Sequence, residues 1–204
     1  MIGILKKTSN SIIENKALSK IKILNLLLIS ILFLVVNITM GQTINWVSID
    51  EAQELNKKEP RKILVDVYTH WCGPCKMMMK YTFSNEWIID YINKNYYAVK
   101  FNAEGPEPAT FKGTEFKNPT YVKDKPGRNG THQLTQAIAP VNGRIAYPTI
   151  VFIDEELNLI TPVQGFQKPA QFEPMLKFIK EDKYKVDSPN SWEEYMKTFK
   201  SELK

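Results

Sequence analysis

The chain holds 204 residues, 43% of them apolar and 24% charged, a globular composition that argues against a disordered or fibrous polymer. Its formal charge of +5 is concentrated at the front: residues 1–42 carry five lysines and one acid, Glu14, leaving 22 basic against 21 acidic residues beyond them. A near-neutral body without clustered Lys and Arg gives no reason to expect a nucleic-acid partner.

In chain order, lysines 6, 7, 16, 20 and 22 precede the apolar run Ile23–Val36, and small or polar residues follow through Gln42. That sequence of basic, apolar and polar regions is the pattern of a secretory signal, with cleavage near Gly41 or Gln42. A retained membrane anchor is the alternative, since Ile38 and Met40 extend the run toward the roughly 20 residues a spanning helix needs. A buried helix of the fold is a third reading. Either of the first two places the body outside the cytoplasm, in the periplasm, where disulfides persist. Contact with a membrane is then expected only through residues 23–40, and only if the segment is retained.

Thr43–Val47 reads as a short strand. Ser48-Ile49-Asp50-Glu51 reads as a capping box opening a helix that runs to about Lys58 and stops before Pro60. The β-branched run Lys62–Tyr68 suits a strand buried on both faces. It leads into Thr69-His70-Trp71-Cys72-Gly73-Pro74-Cys75, and Lys76–Lys80 is helix-compatible. Another helix starts near Ser84-Asn85-Glu86 with an apolar stripe of Trp87, Ile88, Tyr91 and Ile92. Tyr96–Phe101 reads as a strand.

From Ala103 to about Gly130 the pattern dissolves, and so long a stretch is rarely structureless inside a compact domain. We read it as an inserted surface element, with a hairpin around Phe111 and Phe116 whose aromatics form either a local mini-core or a substrate platform. A short helix over Thr131–Ala139, a strand within Ile145–Asp154 and an edge strand within Leu157–Phe166 follow. A helix from about Ala170 to Lys180 requires Pro174 in its first turn. Ser191-Trp192-Glu193-Glu194 is a second capping box, opening a last helix whose apolar positions are Trp192, Tyr195, Met196, Phe199 and Leu203.

Two cysteines three positions apart make a poor structural staple, because closing so short a loop removes little chain entropy. They make a better redox couple. Between a buried strand and a helix, Cys72 sits at the helix N-terminus, where unpaired amides favour the thiolate that attacks disulfides. Cys75, one turn inside, is placed to close the ring. Gly73 permits close approach, Pro74 suits a first helical turn, and Trp71 flanks the pair. Zinc would need two more ligands, and the chain's only histidines are His70, cramped against Cys72, and His132. Haem attachment needs histidine where Lys76 stands. No metal is expected.

The segment Ile63–Lys76, containing Trp71-Cys72-Gly73-Pro74-Cys75, resembles the active site of the thioredoxins, and the resemblance extends from about Ile44 to Lys180. It implies a thioredoxin-like α/β fold: a central mixed β-sheet flanked by helices, over residues 43–182, with an insertion at about 103–130 and a C-terminal helical extension over 183–204. It implies further that Tyr147-Pro148-Thr149 is the cis-proline element that binds the client, and that Asp66 is the buried acid relaying the proton of Cys75. Lys100 corresponds to a family lysine near that acid, and Gly165 to a glycine after the last strand. Two departures stand out. Met77–Lys80 lacks the proline common in the active-site helix, and His70 replaces a small or acidic residue. His70 is either a solvated loop residue or an imidazolium that favours the Cys72 thiolate.

The activity implied is extracytoplasmic thiol–disulfide exchange with protein clients. No cofactor beyond the Cys72–Cys75 disulfide is expected, and a membrane electron-transfer protein is an expected partner if the site works as a reductant. A non-catalytic binding module of the cell envelope and a dedicated reductant for apocytochrome-type clients are the competing readings.

Overall fold

The computed structural model describes residues 43–185 and 191–203. The signal or anchor expected within 1–42 lies outside the described residues. Among those residues no helix is long and apolar enough to cross a membrane.

Strand β2 (Lys62–Tyr68) is buried through Val67 and forms the centre of a five-stranded sheet. On one side it pairs in parallel with β3 (Tyr96–Asn102), which pairs in parallel with the short edge strand β1 (Trp46–Val47). On the other side it pairs antiparallel with β6 (Thr149–Ile153), which carries the antiparallel edge strand β7 (Leu159–Gln164). The sheet is mixed. Because side chains alternate along a strand, Ile63, Val65 and Val67 face one layer and Leu64 and Asp66 the other.

The first layer holds α1 (Ile49–Lys58) and α4 (Gln133–Ile138), whose Ile49, Ala52, Leu134 and Ile138 pack with Val65, Val99 and Val151. Ser48 caps α1, its Oγ accepting from Glu51 N at 3.0 Å, as its sequence pattern predicts. The second layer holds α2 (Gly73–Met77) with the turn after it, α3 (Glu86–Asn95) and α5 (Pro169–Lys180); Met78 of that turn, Ile88, Ile92, Phe172 and Leu176 are buried against Leu64, Ile150 and Phe152. Asp66 therefore points into the layer of α2, the helix that bears the cysteines. That alternation positions the site.

Three elements differ from their sequence expectation. The active-site helix starts at Gly73 behind Cys72, as expected, but over Met78–Thr82, where a continued helix was expected through Lys80, it widens into a π-helical turn. Phe83 N reaches back to Met78 O at 2.9 Å, and the wide turn buries Met78 and Thr82, whose Oγ1 donates to Gln167 O. Without a proline in Met77–Lys80, that rearrangement is open to the chain. Pro174 does not sit in the first turn of α5. Lys168 is the N-cap, its N–H held by Gln171 Oε1 at 3.0 Å, so Pro169 takes the first turn and Pro174 falls inside the helix. The last helix, α6 (Ser191–Thr198), includes Ser191 and stops before Phe199. Trp192 and Tyr195 pack on Phe178 with ring centroids 5.2 and 5.3 Å away, whereas Met196 is exposed. Beyond Thr198, Leu203 still packs on the second-layer core and Phe199 against Tyr195, and polar contacts fix the rest. Glu202 pairs with Lys177 at 2.8 Å and accepts from Trp87 Nε1, and the buried Glu173 accepts from Ser201 Oγ and Glu202 N.

Residues 103–130 contain the expected hairpin, β4 (Ala109–Phe111) with β5 (Thr114–Phe116). Its turn residues Lys112 and Gly113 both have positive φ, 52° and 76°, the backbone a tight two-residue hairpin requires. Gln53 of α1 ties the hairpin down, donating to Thr110 O and accepting from Lys112 N. Phe111 and Phe116 pack, partly buried, against the core of the first layer.

Candidate active site

Cys72 and Cys75 form a disulfide, with Cα atoms 5.3 Å apart. Cys72 is the N-cap of α2, its sulfur accepting from Cys75 N at 3.1 Å, and Pro74 lies in the first turn. The two sulfurs open onto different surroundings. Cys72 lines an open groove of about 520 Å³ together with Trp71, Pro74 and Tyr147. Cys75 lines a smaller cavity of about 200 Å³ behind it, shared with Asp66, Thr69, His70, Met79 and Lys100.

Asp66 is 2% exposed. Burial pushes its carboxyl up from 3.8 to about 6, against the opposing pull of the Lys100 ammonium, 3.4 Å from Oδ2. Register brings the two together, since Asp66 of β2 stands opposite Lys100 of β3. Lys100 Nζ also lies over the rings of Tyr68 (4.8 Å) and Trp46 (5.1 Å). Asp66 Oδ1 and Thr69 Oγ1 are buried without a hydrogen-bond partner. Their cavity of about 200 Å³ has room for a water between Asp66 and Cys75, with these two unpartnered oxygens to bond it. A carboxyl titrating near neutrality beside a thiol is suited to take and return a proton.

The Tyr147–Pro148 peptide bond is cis. Thr149 opens β6 and fixes the preceding loop through Oγ1 donating to Ala146 O at 2.7 Å. Gly165 follows β7 with φ +91° and donates its N–H to Pro148 O at 2.8 Å. Tyr147 packs edge-on against Trp71 with centroids 5.8 Å apart. His70 is exposed, its ring edge-on to Tyr68 at 5.5 Å. It lies on the Cys75 side, among the residues of the small cavity, and not in the groove with Cys72.

A family model described as a thioredoxin-like domain matches residues 49–180. The chain belongs to the thioredoxin-like domain family. Among solved structures, a thioredoxin-fold protein from Helicobacter pylori is similar with a TM-score of 0.52 and 18% identity, over 78% of this chain and 89% of that one. A thioredoxin from Thermus thermophilus gives 0.49 and 15%, over 67% and 87%. An uncharacterized protein of Archaeoglobus fulgidus is 31% identical over 58 residues, 28% of this chain. That match spans 46% of the relative, under half its length.

For a thioredoxin-like domain, the surroundings of Trp71 are the part that sequence reasoning missed. Trp71 Nε1 donates to Glu104 Oε2 at 2.8 Å, and the same oxygen accepts from Asn129 N at 2.8 Å. Glu104, Arg128, Asn129 and Thr131, all from the 103–131 segment, line the groove with Cys72. No motif marks these residues, because their partners are distant in the chain. His132, weighed only as a zinc ligand, is fully buried as the N-cap of α4. Its Nδ1 accepts from Leu134 N at 3.0 Å, which assigns the proton to Nε2, 3.1 Å from Glu107 O. Among the described residues no group of three His, Cys, Asp or Glu is arranged to hold a metal.

Proposed function

We propose that the protein is an extracytoplasmic thiol–disulfide oxidoreductase that exchanges disulfides with protein clients through Cys72 and Cys75. The observation that carries this reading is the division of labour between the two sulfurs. Cys72 lines a groove of about 520 Å³ with Tyr147, large enough for a client segment, and Cys75 lines a smaller cavity of about 200 Å³ with the acid Asp66. Family membership supports the same chemistry. The basic–apolar–polar leader supports export to the periplasm.

In the reducing direction the Cys72 thiolate attacks one sulfur of a client disulfide. A Cys72–client bond forms, and the other client sulfur leaves as a thiolate. Cys75 gives its proton to the Asp66 carboxylate, directly or through water, and the resulting thiolate attacks Cys72 Sγ. The Cys72–Cys75 disulfide forms, the second client thiolate is released, and two electrons have passed to the client. Reversed, the same steps oxidise a client dithiol. Ile145, Ala146 and Tyr147 line the groove along which the client backbone lies, and Pro148 and Thr149, expected to bind the client themselves, are buried behind that wall and hold it in place. Lys100 keeps Asp66 from rising still further, so that it accepts a proton near neutral pH. The disulfide itself is the only redox group the cycle needs. In the reducing mode, a membrane electron-transfer protein would restore the dithiol.

The test is insulin disulfide reduction with dithiothreitol as electron source. Cys72→Ser abolishes turnover, and Cys75→Ser accumulates mixed disulfides with the client. Undiminished turnover by Cys72→Ser sinks the assignment.

A further inference from the structure

The groove in front of Cys72 contains a cation that the exchange chemistry does not use. The Arg128 guanidinium lies over the Trp71 ring, 4.6 Å from its centroid, and lines the groove with Cys72 and Tyr147. Among the described residues it makes no ion pair or hydrogen bond, so its planar fork of N–H donors is available to a ligand. Glu104, a carboxylate of the same groove, is 8% exposed and its Oε2 already accepts from Trp71 and Asn129. It orients the indole and makes no direct ion pair with Arg128.

The chain next to Arg128 is built to hold it there. Asn129 Oδ1 accepts from Val122 N and its Nδ2 donates to Val122 O, both at 2.8 Å, closing the loop between them. Asn118 Nδ2 donates to Gly105 O and to Gly130 O. Gly130 packs so tightly on Thr120 that a Cβ there would overlap its Oγ1 and its backbone carbonyl. A surface loop with this much internal bonding presents its side chains from a defined position. Its sequence, Lys123-Asp124-Lys125-Pro126-Gly127-Arg128, is also net positive.

We propose that Arg128 is a specificity-determining residue, selecting client segments that carry an Asp or Glu beside the reactive cysteine. A carboxylate one or two residues from the client sulfur would meet the guanidinium fork while the sulfur meets Cys72, the bidentate pairing for which arginine is suited. This inference rests on the exchange reading above, and it deepens that reading by naming the chemistry of the client.

The experiment uses the full chain and three fluorogenic peptide disulfides, identical except for Glu, Gln or Lys next to the cysteine. Expected kcat/KM falls in the order Glu, Gln, Lys, with the Glu peptide ahead of Gln by about fivefold, the scale of a partly exposed ion pair. The advantage shrinks as salt is raised. In Arg128→Gln the Glu-to-Gln ratio falls to near one, and in Arg128→Glu the order inverts in favour of Lys. Equal rates on all three peptides, or a ratio that Arg128→Gln leaves in place, overturns the proposal. Absence of turnover on every peptide overturns the exchange reading instead. Binding of the same peptides with serine for cysteine, read by tryptophan fluorescence, then tests Arg128 separately. A Glu peptide bound no more tightly than its Gln counterpart overturns the proposal there too.

Discussion

Replacing Asp66 by Asn stabilises the oxidised protein at neutral pH. Burial raises the Asp66 carboxyl from 3.8 to about 6 in the fold. Between those values the folded chain holds a proton that the unfolded chain releases. The contribution is therefore fully present below 3.8 and lost as pH rises to about 6. A displacement of about 2 units corresponds to about 3 kcal/mol, the cost of keeping a charge in that cavity above pH 6. Asn has nearly the same shape and carries no charge, while Lys100, 26% exposed, remains solvated without its partner. Guanidinium unfolding of the two oxidised proteins, followed by tryptophan fluorescence from pH 3.5 to 8, measures the difference. The disulfide removes cysteine titration from the comparison. The expected gap is small at the acid end, widens between pH 4 and 6, and levels off at up to about 3 kcal/mol in favour of Asp66→Asn. The same variant reduces insulin more slowly at pH 7, because Cys75 loses its proton acceptor. A gap that stays flat with pH, or a variant less stable at pH 8, refutes the assignment of a desolvated acid beside Cys75.

Replacing His132 by Ala deletes the α4 cap and the bond to Glu107 O from a fully buried position. A loss of about 3 kcal/mol is expected in denaturant unfolding. Burial lowers the pKa of His132 from 6.5, so the wild-type protein loses stability as pH falls below that value, and its lead over His132→Ala narrows there. Gly130→Ala forces the backbone of Thr120 to shift, since the added Cβ overlaps its carbonyl and Oγ1. It costs about 1–3 kcal/mol in thermal unfolding and slows insulin reduction by displacing the loop beside Trp71. Lys62, 1% exposed, is paired at 2.9 Å with both Glu155 and Asp182, which themselves reach solvent. Lys62→Met therefore changes stability by no more than about 1 kcal/mol, whereas Glu155→Ala with Asp182→Ala strands a buried ammonium and costs about 3 kcal/mol or more. Urea unfolding separates the two outcomes.

The order of elements was legible in the chain because it rests on local physics. Ser48 announces α1 through the bond its own side chain makes, and the unbroken run Ile63–Val67 announces a strand covered on both faces. The cysteine pair was legible for the same reason: two thiols three residues apart at a strand–helix junction need no distant partner to meet. Pro174 shows where local reading ends. A helix start is decided by which residue caps it, and Lys168 with Gln171 moved the first turn ahead of the proline. The roles of Asp66, Lys100 and Pro148 came only by family resemblance, and the fold accounts for their placement. Strand alternation turns Asp66 toward α2, register sets Lys100 opposite it, and the Pro148 loop reaches the groove because β6 lies beside β2.

Only the tertiary structure decided which cysteine lines the groove with Tyr147 and which the cavity with Asp66, since that depends on the cavities on either side of α2. It alone brought Glu104, Arg128 and Asn129 to Trp71, across sequence separations of 33 residues for Trp71–Glu104 and 25 for Glu104–Asn129. Side-chain contacts at such range leave no periodicity or spacing in the chain, because each partner is chosen by where the fold carries it. The sequence by itself determined the redox couple and the strand–helix frame that holds it. The folded chain determined what that couple meets.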